Sequence, residues 1–389
     1  MVLKYKIGLI LFIILALFFS GCLGKDHLPK PMSGDFVGTV QDALTEEGIS
    51  GVEVDFGSEY TAVTNKEGKF SFSTLPPGIY QAKFNRSWYR KLSVSYNHIG
   101  PENGIVFKMN EEQDLVGGIL YSHDDGADNK REIYYLDLKT RQTRKVYQSP
   151  LSETQPAWMG NNKILFCSGQ NNSYDIYCYD LSSGKVEQIC PHAANDEHPS
   201  ADQSGNIIVF QSIRNGQTEI FTYHYGSNQL LQPIDKGKYP KINRDGTQLA
   251  YVDGSNNLWI YNLGTGVSRK INHLGKISNP CWSPDGTKII MESWVNTGDL
   301  HRISVITPGL SEALQPVTYT YQTSDDHKHP FWSEDGSIIF FSANINKSRY
   351  DIYAIRLNDS ILMGAQAPLI MITGGSGDKD YPVWADLNF

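Results

Sequence analysis

The sequence predicts an all-β protein: a six-bladed β-propeller whose C-terminal strand closes blade one, preceded by a small β-sandwich. Three observations carry this. A Pro, followed two residues on by a usually bulky group and then a turn, recurs at Pro156, Pro199, Pro240, Pro280, Pro330 and Pro382, at intervals of 43, 41, 40, 50 and 52 residues. These intervals lie within or just above the spacing of four-stranded propeller blades. A second half-motif follows each hairpin: Glu132-Ile133-Tyr134, Asp175-Ile176-Tyr177, Glu219-Ile220-Phe221, Trp259-Ile260-Tyr261, Arg302-Ile303-Ser304 and Asp351-Ile352-Tyr353. The two half-motifs are also out of phase. Gly118–Ser122 has no Pro-led strand before it, and the strand at Pro382–Leu387 has nothing after it, so the counts match only if the last strand returns to the first blade.

The best-formed copy is Asn279–Ile290, N-P-C-W-S-P-D-G-T-K-I-I. Pro280 opens a strand where no ladder N–H is needed, and Trp282 is a large apolar wedge. Asp285-Gly286 reads as a two-residue hairpin turn, with the next strand over Thr287–Met291. The other turns are Gln203-Ser204-Gly205, Arg244-Asp245-Gly246 and Glu334-Asp335-Gly336, degenerating to Gly160-Asn161-Asn162 in the first copy. A closed ring removes the sheet edges that invite aggregation. These P-x-W-S-x-D-G hairpins with D-I-Y strands resemble the TolB-type propeller repeat over residues 115–389. That repeat also occurs in the propellers of prolyl oligopeptidase-like enzymes and in oligogalacturonate lyase, so it implies a fold more than an activity.

Residues 1–22 read as an export signal, with Lys4 and Lys6 ahead of the apolar Ile7–Phe19. The ending Phe18-Phe19-Ser20-Gly21-Cys22 resembles a lipoprotein signal, which implies a diacylglyceryl group on the Cys22 thiol; an uncleaved N-terminal anchor is the alternative. Residues 23–33, with Gly, Lys, Asp and two prolines, read as a stalk. Residues 34–109 show strand-like alternation at Val52/Val54/Phe56 and Phe70/Phe72, with turns at Asn65–Gly68 and Pro76–Gly78. This stretch resembles the carboxypeptidase regulatory-like domain, a transthyretin-related sandwich, which implies a spacer or adhesion module without catalytic residues. Asn110–Asp114 is a short acidic hinge.

Composition narrows the function. A net charge of −8 excludes nucleic acid as a partner and offers no attraction to anionic lipid, while 40% hydrophobic and 12% aromatic residues suffice for a packed core. Gly374-Gly375-Ser376-Gly377 is followed by Asp378, so no G-x-S-x-G nucleophile elbow is formed and a peptidase is not expected. Asp124–Asn129 lacks the spacing of an EF-hand and reads as a solvated loop. Cys167 and Cys178 lie on neighbouring strands of blade two, where a disulfide is one reading and two buried thiols the other.

The residue before each motif Pro is placed at the mouth of the innermost strand: Gln155, His198, Tyr239, Asn279, His329 and Tyr381. These six are the candidate binding residues, because the apolar wedges are committed to the core. His327 and His329, at strand spacing, are a candidate metal pair, similar to the H-x-H of oligogalacturonate lyase; Asn279 stands where that family's further His is expected. Two functions follow. The first is a lipid-anchored, exported scaffold, at a periplasmic face or cell surface, whose propeller binds an envelope protein or a polysaccharide, with no cofactor. The alternative is a divalent-metal-dependent polysaccharide lyase.

Overall fold

The structure, a computed structural model, describes residues 34–389 apart from 44–45, 58, 87–88, 101, 111–115, 125, 127–129, 171–172, 274, 297, 320–324, 346–348, 364–366, 368 and 388–389. Cys22, the export signal and the stalk lie outside the described residues. The chain divides into two compact units at Glu112/Gln113. No described helix is long and apolar enough to cross a membrane.

The first unit holds a three-stranded sheet, ordered Lys69–Leu75, Gly34–Asp42, Glu102–Met109, and a four-stranded one, ordered Thr61–Val63, Glu53–Asp55, Gly78–Asn85, Leu92–His98. Alternation along the strands sends Phe36, Val54, Phe56, Phe70, Phe72, Phe84 and Phe107 into one aromatic core. Phe84 and Phe107 stand 4.5 Å apart, within the range where ring pairs attract beyond their buried area.

Among its described residues the second unit has six antiparallel sheets, numbered as blades 1 to 6. Their inner strands are Asp378–Ala385 for blade 1, then Ser152–Gly160, Asp196–Ala201, Lys238–Ile242, Lys276–Trp282 and Asp326–Trp332. The C-terminal strand pairs with Gly118–Asp124, setting Val383 opposite Leu120 and Ala385 opposite Gly118. The third strands carry the second half-motif, and the isoleucines Ile133, Ile176, Ile220, Ile260, Ile303 and Ile352 are all buried. Blade 3 departs from the pattern, its outer edge split into Gln229–Leu230 and Asp235–Lys236. The long interval between Pro330 and Pro382 accommodates a short helix, Leu357–Met363, held by Ser360 Oγ donating to the Val317 carbonyl at 2.7 Å.

The recurring Trp joins neighbouring blades. Trp282 Nε1 of blade 5 donates to the Lys241 carbonyl of blade 4, and Trp332 Nε1 of blade 6 to the Cys281 carbonyl of blade 5, each at 3.2 Å. The W-S-x-D-G turn differs from the two-residue hairpin that the sequence suggests. Trp282 pairs with Ile289, and Ser283 N–H reaches the Lys288 carbonyl at 2.9 Å, so the strand begins at Ile289. The reason is local. Ser283 Oγ accepts the Lys288 N–H at 2.9 Å and Asp285 Oδ1 the Thr287 N–H at 3.0 Å, holding both residues in the turn. Gly286 closes it at φ 69°, a conformation that only glycine adopts freely.

Candidate functional site

All six residues before the motif prolines lie in the left-handed region: φ is 53° at Gln155, 54° at His198, 55° at Tyr239, 45° at Asn279, 49° at His329 and 54° at Tyr381. Each marks a slip in register between inner and second strand, as between Ser278 and Cys281. Asn tolerates this conformation; for the other five it costs roughly 1–2 kcal/mol apiece. Strain repeated at one position of every blade is a built feature of the channel.

The bulge leaves the N–H of these residues outside the ladder, and side chains collect it. His198 N–H donates to Gln155 Oε1 at 2.7 Å, Tyr239 N–H to Gln211 Oε1 at 3.0 Å and His329 N–H to Glu292 Oε1 at 2.7 Å. Tyr381 N–H donates to Asp380 Oδ1 at 2.9 Å. Five of the six side chains touch one another in a layer across the channel, and Asn279 joins them through Glu292. Gln155 Nε2 donates to His198 Nε2 at 3.4 Å, and the His198 ring meets Tyr239 edge-on at 4.8 Å. Tyr381 lies 6.3 Å from His198 and stacks on His329 at 3.7 Å. Asn279 Nδ2 donates to Glu292 Oε1 at 2.8 Å, the same oxygen that takes the His329 N–H.

The layer is not a rim. The bulge residues stand part-way along their strands, with one cavity toward the strand starts and another toward the W-S-x-D-G turns. The first cavity, about 390 Å³, lies off-centre over blades 4 to 6. Tyr239, Asn279 and His329 line it, and Gln155, His198 and Tyr381 do not. Because the bulge breaks alternation, the preceding residues Lys238, Ser278, Lys328 and Asp380 line the same cavity, and Glu292, Trp294, His301 and Tyr350 complete it.

Its protonation states are set by neighbours. Burial opposes charge on His329, but Asp380, with Oδ1 at 2.5 Å from Nδ1, and Glu292 outweigh it and hold the imidazolium above its usual range. Burial likewise opposes charge on Asp380, yet His329 draws it down to about 2. His198 has no acid beside it, and burial, with the positive charges of His329 and Lys241, lowers it to about 3. Asp326 holds Lys328 at 2.7 Å and His301 at 2.8 Å, and accepts from Tyr350 at 2.8 Å. Two histidines of one layer are thus shifted in opposite directions, His329 up and His198 down.

Two expectations are corrected. His327 and His329 do not share a site: the left-handed turn at His329 breaks the face that residues two apart would share. His327 is buried, with Nδ1 on Thr318 Oγ1 at 2.8 Å and its ring 5.2 Å from Phe341. Burial lowers it to about 4. No group of three His, Cys, Asp or Glu that could hold a metal occurs among the described residues. Cys167 and Cys178 are free thiols. Cys167 lies opposite Ile176 and Cys178 opposite Leu165, a diagonal relation beyond ordinary disulfide reach. Their thiols have other partners, Cys167 on Gln155 Oε1 at 3.2 Å and Cys178 toward Met159 Sδ at 3.8 Å.

Sequence reasoning missed Glu292, Asp380, Lys328 and Lys238. One signal existed for Glu292, the single carboxylate in the apolar second strand Ile289–Trp294. The others occupy the column one residue before the bulge, which alternation assigns to the opposite face.

The arrangement is a β-propeller with a charged, aromatic-lined cavity at one side of its bulge layer. No protein-family model matches the chain. It is 22% identical over 195 residues to an uncharacterized protein of Agrobacterium fabrum, covering 43% of this chain and 64% of that one. It is 31% identical over 101 residues to a TolB homolog of Chlorobaculum tepidum, covering 24% and 23%. The chain thus spans less than two thirds of the length of these relatives. In fold it is similar to the crystal structure of TolB from Acinetobacter baumannii, with a TM-score of 0.59, 17% identity and 79% of each chain covered. The second unit therefore has a TolB-like propeller fold.

Proposed function

We propose that this chain is an exported, lipid-anchored envelope protein. In this reading a closed six-bladed propeller, carried with a small carboxypeptidase regulatory-like domain, holds a polar segment of a protein partner. The observation that carries it is the cavity over blades 4 to 6. It is lined by basic groups (Lys238, Lys328, His329) and carboxylates (Glu292, Asp380) together with Tyr239, Trp294 and Tyr350. Charges of both signs beside aromatic faces suit a peptide segment, whose N–H, C=O and side chains present both polarities. Similarity to TolB proteins supports a protein partner in the envelope. Lipidation at Cys22 supplies the tether under this reading.

The test is capture from envelope extract, followed by titration of the purified partner. Glu292→Gln and Lys328→Met are each expected to weaken binding about tenfold, the worth of one charge-assisted hydrogen bond. Equal affinity of both variants and the wild type would remove the cavity as the site. Metal-dependent release of unsaturated uronate by the purified protein would replace the binding reading with the lyase.

A further inference from the structure

A second cavity, about 510 Å³, opens at the other end of the inner strands. All six blades line it, and its walls include Trp158, Met159, Trp282, Phe331 and Trp332. The residues two past each bulge face it: Ala157, Ser200, Lys241, Cys281, Phe331 and Val383. Five are small or apolar. Only Lys241 carries a charge.

That charge has no counter-ion among the described residues. Lys241, half-buried, has its Nζ 5.9 Å over the Phe331 ring, a weak attraction compared with that of a carboxylate. From blade 3 it faces His198, held neutral, and from blade 5 the Cys281 thiol, pushed up by burial. The acids around the cavity are otherwise engaged or exposed. Asp202 Oδ1 accepts the Ile207 N–H at 2.8 Å, Glu334 pairs with Arg244 at 2.5 Å, and Asp386, which also lines the cavity, is exposed and makes no ion pair with Lys241. Burial lowers the affinity of Lys241 for its proton, in keeping with this setting.

We infer that the turn-side cavity binds a monocarboxylate with an aromatic or branched aliphatic body, its carboxylate on Lys241 and its body against the tryptophan and Phe331 walls. The volume is that of a small-molecule site. A carboxylate supplies the missing counter-ion, and an apolar body removes water from the remaining wall. The carboxylate could come from a free small acid or from the C-terminus of a polypeptide, and the two sources share this chemistry. The cavity is at the opposite end of the bulge layer from the polar one, so partner capture and acid binding fail independently.

The test uses the purified chain with phenylacetate and indole-3-acetate, their amides, and a short acetylated peptide ending in Phe with a free carboxylate, by calorimetry and tryptophan fluorescence. At least one acid is expected to bind about tenfold tighter than its amide. Lys241→Met should abolish that preference, while Lys241→Arg and the surface variant Lys270→Met keep it. Binding of the small acids assigns a free ligand; binding of the peptide alone assigns a polypeptide C-terminus. In the wild-type protein the bound acid should also protect Lys241 from acylation, a measurement that does not depend on a variant folding. Equal affinity for acid and amide, absence of saturable binding by any acid, or unchanged acylation of Lys241 would overturn the inference.

Discussion

Replacing Asp380 with Asn tests the electrostatic core of the channel layer, because Asn is nearly isosteric with a carboxyl that can no longer ionise. Asp380 is drawn from its ordinary 3.8 to about 2, and each unit is worth about 1.4 kcal/mol. Asp380→Asn should therefore lose about 2 kcal/mol at pH 5 to 6. The sign follows from the direction of each shift. The depressed carboxyl contributes stability that is present above its unfolded value and lost as pH falls through its folded one, so the gap should shrink to about half by pH 3. His329 is raised, so its share is complete below its unfolded value, 6.5, and is lost as pH rises through its higher folded value. The gap should thus peak between about pH 5 and 6 and decline on both sides. Urea unfolding of both proteins from pH 3 to 9 measures it, and NMR titration should show the His329 imidazole falling in the variant. A gap independent of pH, or a variant as stable as the wild type, would refute the ion pair.

Deleting 381–389 removes buried Val383, Ala385 and Leu387 from blade 1 and exposes the Gly118–Asp124 edge; a loss of about 5 kcal/mol and roughly 10 °C is expected for the propeller, with the 34–109 unit melting unchanged in calorimetry. An equally stable truncation would remove the closure argument. Cys22→Ser should abolish metabolic labelling with a fatty acid and release the protein from membranes; a mature N-terminus mapped elsewhere would exclude the lipoprotein reading. Thiol titration in denaturant without reductant should find Cys167, Cys178, Cys190 and Cys281 all reactive, whereas two missing thiols would restore the disulfide.

The repeat and its phase were legible from the sequence because they depend on local chemistry. Pro sits where no N–H is needed, Ser and Asp side chains hold the turn, and a buried Ile recurs in each third strand. The six bulge residues could be found as a column for the same reason. What could not be read was the direction of their side chains. A left-handed residue in mid-strand breaks the two-residue alternation, which separated His327 from His329 and turned Lys238, Lys328 and Asp380 into the cavity. Nor could a column show which members would meet. The pairing of His329 with Asp380, from blades 6 and 1, and the solitude of Lys241 arise from residues distant in the chain. Charge state, which decides what either cavity can bind, depends on burial and on those distant neighbours, so it was decided by the tertiary structure alone.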